Sequence, residues 1–181
     1  TTAYTPTASK LTIAALRTGS GSTAQSISGH GTWTALGNFN QGSNKLYVWA
    51  LISSASPSSA SVTANWTNAS RCELIVTEVG GDAENSSVAA AIIQNDINGF
   101  YNGSGGPFDN SLSLAAFGSA SNATFMVATQ TTGATGYTTI KDVDTGNSVA
   151  FYKLANDTTP TFQTNIAFGQ HMGFACEIVA A

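Results

Sequence analysis

Charge is what this chain has least of. Of 181 residues, six are Lys or Arg and ten are Asp or Glu, while 45 Ser or Thr, 14 Asn and 18 Gly fill the polar positions. Charged residues amount to 9% of the chain, against roughly 25% in an ordinary soluble domain. Solubility normally rests on interspersed charge, so copies of this protein are poorly held apart and self-association is the natural expectation. The six cations are scattered and the formal net charge is −4. That excludes a nucleic-acid grip, which needs clustered Lys and Arg to displace counterions from phosphates. No run approaches the roughly 18 consecutive apolar residues of a membrane-crossing helix. The opening Thr1-Thr2-Ala3-Tyr4-Thr5-Pro6 has no basic-then-apolar leader, and the compartment of synthesis stays open.

Cysteine and histidine are almost as scarce, with two of each. Cys72 and Cys176 lie in apolar, strand-like runs, where a free thiol behaves as a small hydrophobe. A disulfide between them requires the two strands to be neighbours and would close a very long loop; spacing does not choose between these readings. His30 sits in Ser28-Gly29-His30-Gly31-Thr32, a turn entering a strand, and His171 opens the last strand-like run. Neither has the context of a nucleophile elbow, so a structural role is the simpler reading for both.

What is present is a strand rhythm. Residues 10–17, 45–52, 71–79 and 123–129 are short apolar or alternating runs rich in β-branched and aromatic residues, bounded by Gly, Ser, Asn or Asp. Further strands are expected over 32–36, 61–66, 88–94, 111–117, 137–143, 148–154, 161–167 and 172–179. A 42% hydrophobic fraction is enough for one core at this length. The pattern predicts an all-β, antiparallel, jelly-roll-like sandwich as a single domain over 10–181, preceded by an N-terminal arm over 1–9. Ser87-Val88-Ala89-Ala90-Ala91 has a cap and helix formers, but the run is too short to stand alone and is assigned to strand. Asp144-Thr145-Gly146-Asn147 suits a tight hairpin, and Asn102-Gly103-Ser104-Gly105-Gly106-Pro107 is the longest loop.

The carboxylates offer little for catalysis. Glu73 and Glu78 are five apart on one strand and face opposite sides, so they do not form the close pair that glycoside hydrolysis needs. Glu78, Asp82 and Glu84 cluster near a strand end, where charged residues also serve to discourage edge pairing. The Asp142-Val143-Asp144-Thr145-Gly146-Asn147 run begins like a calcium loop, but Gly146 and Lys153 stand where oxygen ligands belong. No enzyme, metal or cofactor is assigned. Trp33 and Trp49 are expected in the core. On the long loop, Tyr101, Phe108, Asp109 and Asn110 combine aromatics with amide and acid groups, the set that stacks on a sugar or anchors a protein interface. Six Asn-X-Ser/Thr sequons, at Asn65, Asn68, Asn85, Asn102, Asn122 and Asn156, are what this composition produces by chance.

The string from Ser111 to Phe125 (Ser-Leu-Ser-Leu-Ala-Ala-Phe-Gly-Ser-Ala-Ser-Asn-Ala-Thr-Phe), preceded by Ile92-Ile93-Gln94-Asn95, resembles a stretch recurring in small β-rich proteins of tailed bacteriophages and in bacterial surface proteins. Gly31-Thr32-Trp33-Thr34, Leu46-Tyr47-Val48-Trp49 and Glu78-Val79-Gly80-Gly81 are similar to segments found there in the same order. The likeness spans most of residues 10–179, is carried by small and apolar residues, and brings no catalytic residue. It implies a non-enzymatic virion structural protein, a capsid decoration or fibre-type domain exposed on the particle. The implied partners are the major capsid protein, tail or fibre components and copies of itself. A carbohydrate-binding, receptor-binding module is the alternative, with glycans as partners.

Overall fold

The computed structural model describes residues 1–19, 25–68, 71–80, 87–102, 108–143, 148–164 and 169–180. In chain order its strands are β1 (Leu11–Thr18), β2 (Gln25–Ser28), β3 (Thr34–Gln41), β4 (Asn44–Ile52), β5 (Thr63–Trp66) and β6 (Cys72–Val79). After a helical turn, α1 (Val88–Ala91), come β7 (Ile92–Asn102), β8 (Phe108–Ser111), β9 (Ala123–Thr129), β10 (Thr138–Val143), β11 (Ser148–Lys153), β12 (Thr161–Thr164) and β13 (Gly169–Ile178). One sheet has the order β3-β4-β1-β6 and a second β10-β11-β9-β13-β7; β12-β8 and β2-β5 form two small ribbons. Every registered pair is antiparallel, as the strand rhythm predicts.

Alternation puts one face of each large sheet into a common core. Leu11, Ile13 and Ala15 of β1, Leu46, Val48 and Ala50 of β4, and Ile75 of β6 meet Phe125, Val127, Ala150, Met172, Phe174, Cys176 and Ile178 of the second sheet. The outer face of that second sheet carries its own cluster, where Met126, Ala128, Phe151 and Ala175 pack beneath Leu112, Leu114 and Phe162. The fold is therefore a sandwich with a third, partial layer made of the β12-β8 ribbon and the segment that follows β8.

The two sheets approach closely on one side and diverge on the other. Where β3 meets β7, a Cβ on Gly37 would lie 3.1 Å from Ile97 Cγ2, and one on Gly99 would lie 2.1 Å from Phe39 Cε1. Only glycine lets the backbones come so near. On the opposite side β6 and β10 are both edge strands, paired with β1 and β11 respectively.

Three expectations need correction. Ser87 does cap a helix: its Oγ accepts from Ala90 N–H, and α1 occupies the first half of the run assigned to strand before β7 begins at Ile92. A hydrogen-bonded cap plus three alanines outweighs strand propensity for one turn. The expected strand over 111–117 is instead an extended segment that alternates like a strand without joining a ladder. Leu112 and Leu114 N–H donate to the carbonyls of Pro160 and Thr158, whereas Ser113 and Ala115 N–H donate to the side chains of Asp96 and Gln94. Trp49 is buried as expected, stacked on Tyr47, but Trp33 is only half-buried; its Nε1–H donates to the carbonyl of Gly29 at 2.8 Å.

Candidate functional site

The four residues expected to bind a ligand are separated by the alternation of their strands. Tyr101, on β7 opposite Gln170, is 67% exposed. Phe108 and Asp109 belong to β8 rather than to a loop, opposite Thr164 and Gln163; Asn110, opposite Phe162, is buried. Asp109 alone enters a polar hollow of about 250 Å³, which it shares with Thr135, Asp157, Thr159, Thr161 and Gln163. Asp157 is already engaged there: Oδ2 accepts from Lys153 Nζ at 3.0 Å and from Tyr137 Oη at 3.1 Å, while Oδ1 accepts from Thr159 N–H. Burial first, and then the negative charge of Asp157, push the Tyr137 phenol far up, so it stays a neutral donor. The aromatic platform that a sugar ring needs is not among the residues lining this hollow.

Two acids are drawn wholly into the architecture. Glu177 is fully buried; Oε1 accepts from Gly118 N–H at 2.9 Å and Asn122 Nδ2 at 2.5 Å, and Oε2 from Gln94 Nε2 at 2.6 Å. Desolvation raises its pKa, but the bonds from Asn122, Gln94 and Gly118 outweigh that and hold the carboxyl below its ordinary value. Glu73 lies between the sheets, where Oε2 meets Arg17 Nη1 at 3.3 Å and accepts from Ser148 Oγ at 2.5 Å, and Oε1 meets Arg71 Nε at 3.3 Å. Glu73 thus ties β6 to β1 through their Arg17–Glu73 register and to β11 of the opposite sheet. Glu78, on the other face of β6, is exposed and accepts from Thr7 N–H at 2.7 Å. The sequence showed that Glu73 and Glu78 diverge; it had no signal for the partners each would find.

The bridge considered between Cys72 and Cys176 is not formed. Both thiols are free, Cys72 exposed at the start of β6 and Cys176 buried on β13, in different sheets. His171 is fully buried opposite Phe100. Desolvation lowers its pKa, against the backbone of Gln130 and Thr129 and with the help of Arg17, so the ring is neutral. His30 occupies a left-handed turn, with φ 61°, and packs against the Tyr4 ring of the arm.

The largest departure from the Ser/Thr/Asn surface lies on the diverging side of the sandwich. A hollow of about 300 Å³ opens between β6 and the β10-β11 hairpin, walled by Val79, Phe125 and Ile178 and rimmed by Ile140, Tyr152 and Leu154. Leu154 is 83% exposed, Ile140 40% and Tyr152 36%. Ile140 falls at a register shift in the β10–β11 pairing, between Thr139 and Lys141, where a bulge re-aims side chains. A neighbouring hollow brings Glu78 of β6 and Lys141 of β10 to one surface. Sequence reading missed this patch because Tyr152 and Leu154 continue an apolar run that looks like core.

Of the sequons, Asn122 is buried and held by Glu177, whereas Asn65 and Asn156 are exposed. Asp82, Glu84 and Asn85, most of the 102–107 loop, and residues 144–147 of the calcium-like run lie outside the described residues. Among the described residues no group of three or more His, Cys, Asp or Glu is placed to hold a metal ion, and no helix is long and apolar enough to cross a membrane. No known family, curated protein or solved structure matches the chain.

Proposed function

We propose that this protein is a non-catalytic structural component of a phage-type particle, decorating or cementing the capsid through protein–protein contacts. The observation that carries the reading is the apolar rim of Ile140, Tyr152 and Leu154 on an otherwise charge-poor, hydroxyl-rich surface. A monomer exposes isolated apolar residues freely, but a contiguous patch around an apolar hollow marks an interaction site. The buried acids support the same reading, since Glu73 and Glu177 are consumed in holding sheets and segments together. On a symmetric shell, many weak contacts of this kind add through avidity. Sedimentation of purified particles tests the proposal: the protein is expected to co-purify with them, and its consistent absence overturns the reading.

A carbohydrate-binding role, on a tail fibre or a cell surface, is the second reading. It is favoured by the polar hollow, where Asp109 stands among Thr135, Thr159, Thr161 and Gln163. Glycan-array binding that disappears in Asp109→Ala would establish it, and absence of binding to every glycan would remove it.

A further inference from the structure

We infer that the diverging side of the sandwich is a two-fold interface, and that its occupant is a second copy of this chain. The inference rests on the assembly reading above and names the first partner in that assembly.

The argument starts from how the two rims of this surface differ. The β6 rim carries Glu78, and the β10 rim carries Lys141, which forms no ion pair among the described residues. One surface therefore holds both members of a complementary pair on opposite sides of a shared hollow. A two-fold axis through that surface sets each rim against the other rim of the second copy, so that residue i meets j and j meets i. Lys141 then meets Glu78 twice, and no like charges are opposed. Glu78 keeps Oε1 for this contact, because its bond from Thr7 N–H uses Oε2.

The same operation supplies what the hollow lacks. Leu154 projects at its rim with most of its surface in water, while Val79, Phe125 and Ile178 wall an apolar space of about 300 Å³. Reciprocal insertion of Leu154, flanked by Tyr152, covers both patches. The unpaired edges of β6 and β10 are also removed from water, which answers the exposure that edge strands otherwise present to any passing chain. With only four net negative charges per copy, little long-range repulsion opposes the approach.

The test is sedimentation equilibrium of the full chain from micromolar to millimolar concentration, with circular dichroism to confirm that each variant is folded. A reversible monomer–dimer equilibrium is expected, lost in Leu154→Asp. Glu78→Lys alone and Lys141→Glu alone should each weaken the dimer about tenfold or more, and the double exchange should restore it, a rescue that no general loss of stability can mimic. A folded chain that is monomeric throughout, or a dimer indifferent to Leu154→Asp, or one that the double exchange fails to rescue, overturns the inference. A chain that co-purifies with particles yet stays monomeric overturns only the second copy as occupant. A chain that dimerises with the expected rescue but never joins particles overturns the assembly reading instead.

Discussion

Asn122 Nδ2 donates to Glu177 Oε1 at 2.5 Å, and both side chains are buried. Glu177 also accepts from Gly118 and Gln94, and Asn122 Oδ1 accepts from Ala180 N–H. This pair therefore fastens the 112–122 segment to the end of β13. Asn122→Ala is expected to destabilise the fold by about 2 kcal/mol, because it strips a charge-assisted bond from a buried carboxylate; chemical denaturation measures it. The carboxyl is held below its ordinary value, so its contribution is present above the usual carboxylate range and is lost as pH falls through the lowered folded value. Glu177→Gln should flatten that acid limb.

His171 gives a pH dependence in a different window. Burial lowers its pKa in the fold, so the unfolded chain binds the proton more readily. Stability is complete above the ordinary histidine value near 6.5 and falls as pH drops from there toward the folded value. Thermal melts across this range should show the decline in the wild type, and His171→Phe should remove it. A melting temperature insensitive to pH between neutrality and mild acid would contradict the assignment.

Gly99→Ala tests the closed side. The added Cβ meets Phe39 Cε1 at 2.1 Å and Gln41 Oε1 at 2.5 Å, so β3 must withdraw or Phe39 must turn. Overpacking of this kind costs about 1–3 kcal/mol. Gly80→Ala, where nothing lies within 4 Å of the added atom, is the matched control and should be nearly neutral in the same denaturation experiment.

The thiols should separate by accessibility. Cys72 is exposed, although burial of its sulfur first, and then the neighbouring Glu73, raise its pKa; Cys176 is fully buried and raised much further by desolvation. An aromatic disulfide reagent is expected to titrate one thiol slowly in the native protein and two after denaturation. Two rapid equivalents, or none in denaturant, would contradict free thiols in these positions.

Periodicity sufficed for the central strands because the backbone repeat of two places alternate residues on opposite faces whatever the tertiary context. Residues 45–52, 71–79 and 123–129 became β4, β6 and β9 with little displacement. It misassigned 111–117 because alternation reports facing, not pairing: Leu112 and Leu114 point inward, yet half the segment's donors go to the side chains of Asp96 and Gln94. The candidate ligand residues failed for a related reason. Phe108, Asp109 and Asn110 are adjacent in sequence, and β8 turns Asp109 outward and Asn110 inward. The apolar rim was illegible because Leu154 is as hydrophobic as any core residue, and only the divergence of the two sheets leaves it in water.

The strand order also sets a sequence of events. β13, the last strand in the chain, lies inside its sheet between β9 and β7, so neither neighbour has its partner until β13 arrives. β1 is likewise interior to its own sheet, between β4 and β6. Each sheet closes only after its farthest segment is made, and loop closure must precede the contacts that reward it. The first sheet can form while the chain is still emerging from the ribosome, but the second must wait, leaving Phe125 and Val127 uncovered during synthesis. Slow, late folding with a window for chaperone capture follows from that interior position.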